Sequence, residues 1–271
     1  MSPSMRYLLL LLAFPLVFWS CSEYNKVLKS NDPDLKYAKA VEYFDEGECF
    51  KSLPLLEELL TVVKGTQRAE NVYYYYAKVH YCVQDYYLAN YYFKTFTKTF
   101  SSSPRAEECL FLAAMCNYNL SPKYSLDQQD TKAAIDEFQL FLDRYPTSDR
   151  KDTCNTLMAD LRYKLEVKSY KLAKLYAKTQ KYLAASLALE DFVYSYPASQ
   201  YGEEAMFLIV ESRFNYAENS IEGKKLERFE ETIKSYTNFV NRFPESQKLK
   251  DAEEYYLGAV SEMEELRSIN P

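Results

Sequence analysis

The sequence predicts an all-α fold, built from helix-turn-helix repeats stacked into a superhelical solenoid of about five units. Three observations carry that expectation. Glycine is scarce, with 5 in 271 residues, whereas tight β-turns and phosphate-binding loops need its backbone freedom. Apolar residues recur at helical intervals along most of the chain. A signature of a small residue, an aromatic or leucine, a phenylalanine and an aromatic-Pro pair returns several times, which is how a repeat array announces itself.

At the N-terminus, Arg6 supplies a short basic region, and Tyr7 to Trp19 form an apolar run of 13 residues broken by Pro15. A bilayer needs about 20 apolar residues, so this run has the length of a signal-peptide core, and residues 1–20 read as a signal peptide. No other run in the sequence has the length and apolarity to span a membrane. Ser20-Cys21, followed by the polar stretch Ser22 to Lys26, is placed like a bacterial lipobox with Cys21 acylated. Phe18 and Trp19 are bulkier than usual lipobox residues, and plain secretion with an incidental cysteine is the alternative. Residues 21–33 then form a lipidated tether, and residues 34–271 a repeat domain. That domain divides into N-terminal units over 34–146 and C-terminal units over 147–271.

The first unit carries a weak signature copy in Leu53, Leu56 and Leu60, and the second has Ala89, Phe93, Phe96 and Phe100, with Ser101 where a proline is expected. The third has Ala134, Phe138, Phe141 and Tyr145-Pro146, the fourth Ala185, Leu189, Phe192 and Tyr196-Pro197, the fifth Thr232, Tyr236, Phe239 and Phe243-Pro244. Steps of 4, 3 and 4 residues put each set on one helical face. The small residue admits a neighbouring helix, and proline, which has no N–H, marks the stop. Ser103, Ser148, Ser199 and Ser246 are placed to cap the helix that follows. A first helix precedes each signature helix, with Tyr73, Tyr76, Ala77 and His80 in unit two and Leu172, Ala173 and Tyr176 in unit four. In unit four, Leu172, Ala173, Tyr176, Tyr182, Ala185, Leu189, Phe192 and Pro197 follow tetratricopeptide spacing. Ala89, Ala134 and Ala185 are 45 and 51 residues apart, against about 34 for that repeat. The surplus falls in polar stretches at 121–131 and 219–225, expected as loops or extended helix ends. Lys250 to Arg267 read as a capping helix with an acidic outer face.

A formal charge of −6 gives no clustered positive field for phosphate backbones, so nucleic acid is not an expected partner. Beyond Cys21, the cysteines are Cys49, Cys82, Cys109, Cys116 and Cys154. Their odd number and scatter argue against a disulfide framework, and all five are expected as small apolar core residues. Cys109 and Cys116, two turns apart on one helix, are about 10 Å apart by helical rise and too far to bridge. His80 is the only histidine and occupies an inward position, so a packed core side chain is expected. The acidic pairs Glu57-Glu58, Glu107-Glu108, Glu203-Glu204 and Glu253-Glu254 fall near helix starts or on outer faces, where carboxylates are favoured without any chemistry. No phosphate loop, nucleophile elbow or metalloprotease motif occurs. No catalytic residue, metal or cofactor is expected, and the chain does not read as an enzyme.

Two surfaces can hold a partner. In stacked helix pairs the first helices line the concave side, which places Asn71, Tyr74, Lys78 and Tyr81 of unit two there, with Glu108, Phe111, Met115 and Tyr118 of unit three. Exposed tyrosines offer a peptide wide contact at small entropic cost, so Asn71, Tyr74, Lys78, Tyr81, Phe111 and Tyr118 are candidates for a substrate groove. Packing against neighbouring helices is the competing role for each tyrosine. Lys164, Lys168, Lys171, Lys174, Lys178 and Lys181, spaced 4, 3, 3, 4 and 3, form a stripe on the first helix of unit four. They are candidates for docking an acidic partner surface, and a solvated helix face is the plainer reading.

Taken together, the signal peptide, the lipobox-like Cys21, the short tether and the junctions at Tyr145-Pro146-Thr147-Ser148, Tyr196-Pro197-Ala198-Ser199-Gln200-Tyr201 and Phe243-Pro244-Glu245-Ser246-Gln247 resemble the BamD family. These are the lipoproteins of outer-membrane β-barrel assembly, and the resemblance spans essentially the whole mature chain, in a form similar to that of Bacteroidota. It departs at Phe100-Ser101-Ser102-Ser103, where the proline is lost. The resemblance implies an anchor in the outer membrane through acylated Cys21 alone, facing the periplasm. It implies binding to the POTRA region of a BamA-like barrel protein through C-terminal repeats. It also implies recognition of unfolded outer-membrane proteins, with extended, aromatic-ended signals, through N-terminal repeats. A periplasmic adaptor of the Tol-Pal system is the alternative, but only about a dozen residues separate Cys21 from the first helix near Asp34, which leaves no room for its usual coiled coil. A SusD-like glycan-binding lipoprotein resembles a chain nearly twice as long.

Overall fold

A computed structural model describes residues 23–269; the signal peptide expected over 1–20 and the expected acylation of Cys21 lie outside the described residues. Residues 23–28 form a short helical turn, within the stretch expected as a tether. Glu23 pairs with Lys39 at 3.0 Å, and the Tyr24 ring meets Tyr43 edge-on. The longer helices are α1 (Pro33–Asp45), α2 (Cys49–Val62), α3 (Ala69–Cys82), α4 (Tyr86–Thr99), α5 (Ala106–Leu120), α6 (Gln129–Arg144), α7 (Lys151–Lys178), α8 (Tyr182–Ser195), α9 (Gly202–Glu218), α10 (Glu222–Arg242) and α11 (Leu249–Ile269). Among the described residues there is no strand. Helices α1 to α10 pair as five helix-turn-helix repeats, and α11 follows the last, so the all-α repeat architecture stands as the spacing predicts.

The signature residues are the core. Ala89, Phe93, Phe96, Ala134, Phe138, Phe141, Ala185, Leu189, Phe192, Thr232 and Phe239 are all fully buried. Each phenylalanine contributes about 2–3 kcal/mol of apolar burial. The second to fifth signature helices stop at an aromatic C-cap, whereas α2 stops at Val63. The amides of Tyr145, Tyr196 and Phe243 donate to the carbonyls of Phe141, Phe192 and Phe239 before the proline turns the chain away. Phe100 stops α4 in the same way, its amide on Phe96 O, although Ser101 replaces the proline. The cap is therefore set by the bent backbone of the aromatic residue, and proline only reinforces it.

The described residues divide into two compact bodies, one of residues 23–122 with Asp127–Met158, the other of Lys123–Leu126 with residues 159–269. In the first, α1 to α6 pack in sequence, with Leu55, Leu56, Leu59, Val72 and Val79 buried between the early helices. In the second, α9 packs on α8, α10 and α11, around Leu189, Phe192, Val210, Phe229 and Phe239. The α11 helix comes close at Gly258, where an added Cβ would stand 2.9 Å from the Phe214 ring. Part of the surplus length forms the loop between Leu120 and Gln129, as expected, and part lies in the 28-residue α7.

The cysteines correct one expectation. Cys49 and Cys82 form a disulfide, with Cα atoms 6.2 Å apart, whereas all five were expected as core thiols. They lie 33 residues apart, close to one repeat period. The antiparallel course of α2 and α3 brings the first residue of one beside the last of the other. Cys109, Cys116 and Cys154 are free and buried, as expected. His80 is also packed as expected: it is 4% exposed, its ring stacked on Tyr92 and edge-on to Tyr76.

Candidate protein-docking faces

One register organises both bodies. Glu70, Glu107, Glu166 and Glu203 each stand early in the first helix of a repeat or, for Glu166, midway along α7. Each carboxylate accepts a 2.6 Å hydrogen bond from the serine one repeat later: Ser103, Ser148, Ser199 and Ser246. The same serine oxygens accept the amides of Arg105, Arg150, Tyr201 and Lys248 at 3.0–3.1 Å. These serines thus cap the turn before each helix rather than its first helical N–H, which corrects the expected N-cap. An aromatic follows each glutamate by four residues: Tyr74, Phe111, Tyr170 and Phe207.

In the first body, this register assembles the groove candidates on α3 and α5. Asn71 Oδ1 accepts from Arg105 at 2.7 Å. The Tyr74 hydroxyl and Lys78 Nζ both donate to Glu108, each at 2.9 Å. Tyr81 accepts from Asn119 at 3.1 Å. Burial pushes the Glu108 carboxyl upward, but hydrogen bonds from Lys78 and Tyr74 outweigh it and hold the group below the usual carboxylate range. Burial and the Glu108 carboxylate push the Tyr74 phenol up. The Arg105 guanidinium lies 4.5 Å from the Tyr74 ring centre and Arg150 5.1 Å from that of Phe111. Tyr118 meets Phe138 edge-on. The six candidates therefore share one face, but only Asn71 is exposed and the others are half-buried.

Beside this face lies a cavity of about 330 Å³ lined by Pro33, Asp34, Tyr37, Leu59, Val63, Arg68, Asn71 and Val72. Two of the cavity's lining residues, Arg68 and Asp34, form an ion pair. Of its lining, sequence reasoning found only Asn71. The others come from three helices, and only the α1–α2 turn, with Gly47 at φ +78, marks where α1 folds back.

In the second body, the lysine stripe separates into different environments. Lys174 donates to Glu204, which also accepts the Tyr170 hydroxyl. Burial raises the Glu204 carboxyl pKa, and the Lys174 and Tyr170 hydrogen bonds more than reverse it. This repeats the Tyr74–Lys78–Glu108 arrangement. Lys168 donates to the Leu126 carbonyl, and burial lowers the pKa of Lys164. Lys171 and Lys178 are exposed. Lys181 lies beyond α7, as the cap residue of α8, so the stripe does not run along one helix as expected. Leu172 and Leu175, 46% and 52% exposed, stand among these lysines.

Five consecutive helix pairs, packed in sequence within each body, define a tetratricopeptide-like repeat protein. The family model YfiO, outer membrane lipoprotein, matches residues 29–211, more than half of the chain, which belongs to that family. No curated protein matches the chain. Among the described residues, no helix is long and apolar enough to cross a membrane.

Proposed function

We propose that this chain is an assembly factor for outer-membrane β-barrels, held to the membrane by acylated Cys21 and working as a scaffold rather than an enzyme. Membership of an outer membrane lipoprotein family supports the location. The observation that carries the function is the 330 Å³ cavity beside the Asn71–Tyr74–Lys78–Tyr81 face. Its apolar floor of Leu59, Val63 and Val72 suits an aromatic side chain, and Arg68 with nearby Arg105 suits a terminal carboxylate. An unfolded barrel protein with an extended, aromatic-ended terminus offers both. The periplasmic POTRA region of a BamA-like subunit docks on the C-terminal repeats, with Lys171 and Lys178 as the exposed cations that meet its acidic surface.

A fluorescent peptide ending in phenylalanine with a free carboxylate tests the substrate half. It should bind the intact protein, lose about tenfold in affinity with Arg68→Ala or Val72→Asp, and lose more when its carboxylate is amidated. Equal binding of the amidated peptide and of both variants would sink the pocket assignment.

A further inference from the structure

We infer that Cys82 is a thiol-exchange site, through which a dithiol opens the bond that ties the first repeat to the second. The two ends of the Cys49–Cys82 bond are unequal. Cys49 is 3% exposed and is the first residue of α2, whereas Cys82 is exposed at the last residue of α3. A thiol from solvent therefore reaches Cys82 Sγ and not Cys49. The leaving thiolate forms on Cys49 at the positive end of a helix, which favours departure in that direction. Exposed disulfides are the labile ones, and buried ones resist.

The step is a two-electron reduction. A thiolate of the dithiol attacks Cys82 Sγ and forms a mixed disulfide as the Cys49–Cys82 bond breaks. The electron pair leaves on Cys49 Sγ, which takes a proton from water. The dithiol's second sulfur, as thiolate, then attacks its own sulfur in the mixed disulfide. Cys82 leaves as a thiolate and is protonated, and the dithiol is now a disulfide. Reversal by an oxidised dithiol protein restores the bond.

The other thiols stay out of this exchange. Cys109, Cys116 and Cys154 are fully buried, and burial pushes the Cys109 thiol up to about 12 and the Cys154 thiol up to about 11. The exchange is thus confined to one bond, and its structural effect falls on α1, α2 and α3, whose side chains wall the Arg68 cavity.

The folded, oxidised chain is treated with glutathione, a monothiol that cannot complete the second step within one molecule, the freed thiol is blocked at once by alkylation, and the adduct is located by peptide mass. A separate sample is treated with dithiothreitol without denaturant, labelled with a maleimide and followed by amide hydrogen exchange. The expected adduct is on Cys82, and the expected maleimide labels are on Cys49 and Cys82 alone. Amide exchange should quicken at least tenfold in α1 to α3 and stay unchanged in α8 to α11, a pattern that the double variant C49S/C82S reproduces without reductant. An adduct on Cys49, simultaneous labelling of Cys109, Cys116 and Cys154, or a bond that yields only in denaturant overturns the assignment.

Discussion

The Ser148 hydroxyl donates a 2.6 Å hydrogen bond to Glu107 while its oxygen accepts the Arg150 amide at 3.1 Å. One small side chain thus turns the backbone into the next helix and holds that turn to the preceding repeat. The same bond recurs at Ser103–Glu70, Ser199–Glu166 and Ser246–Glu203, so the four junctions from the second repeat onward are fixed by the same charge-assisted contact. Ser148→Ala should cost about 1–2 kcal/mol, seen as a lower urea midpoint. Ser148→Thr, which keeps the hydroxyl, should lose less than half of that.

The two Tyr–Lys–Glu clusters predict a split within the lysine stripe. Removing the Glu204 carboxylate leaves the Tyr170 hydroxyl, on a residue 1% exposed, without its acceptor. Glu204→Ala should therefore cost about 1–3 kcal/mol. Lys171→Glu and Lys178→Glu, at exposed positions, should change stability by less than about 0.5 kcal/mol while weakening partner binding. Chemical denaturation of the three variants separates the Tyr170–Lys174–Glu204 cluster from the exposed lysines.

His80 predicts acid sensitivity of the first body. Burial lowers its pKa below the ordinary 6.5, against the raising effects of Asp85, 3.6 Å away, and Glu57. The Tyr76 and Tyr92 rings complete its surroundings. Its neutral form is the folded one, so the unfolded chain takes up a proton first as pH falls. The stabilising contribution is present above about pH 6.5 and is lost as pH drops from there toward the lower folded pKa. Urea midpoints at pH 7.5 and 5.5 should differ more for the wild type than for His80→Leu.

Gln84 and Gln180 lie within the turns inside repeats two and four, with φ of 63° and 58°. Left-handed backbone costs a side-chain-bearing residue about 1–2 kcal/mol. Gln180→Gly should therefore raise stability by about 0.5–1 kcal/mol, after the added freedom of the unfolded chain is subtracted. A melting temperature equal to or below that of the wild type would contradict this.

How much of this was legible depends on how far apart the partners lie in sequence. Phe138, Phe141 and Tyr145 lie within two turns of one helix, and their spacing alone revealed the core face, the helix stop and the repeat. The Glu–Ser junctions were half legible: the serines stood out after each aromatic stop, but the carboxylates lie 33–43 residues earlier, where no local pattern points to them. The Cys49–Cys82 bond was missed for the same reason. An odd, scattered set of cysteines says nothing until the antiparallel course of α2 and α3 sets two of them side by side. Lys174 looked like its neighbours in the stripe, and only Glu204, on the next repeat, distinguishes it. The cavity at Tyr37, Leu59 and Val72 needed three helices in place before it existed.

The central claim is tested most directly by recovering the lipidated protein from detergent-solubilised envelope with its partners, and identifying them by mass. A POTRA-containing barrel protein should co-purify, in an amount reduced by Lys171→Glu with Lys178→Glu and unaffected by His80→Leu. Recovery of Tol-Pal components alone, with no barrel protein in the eluate, would contradict the assembly reading.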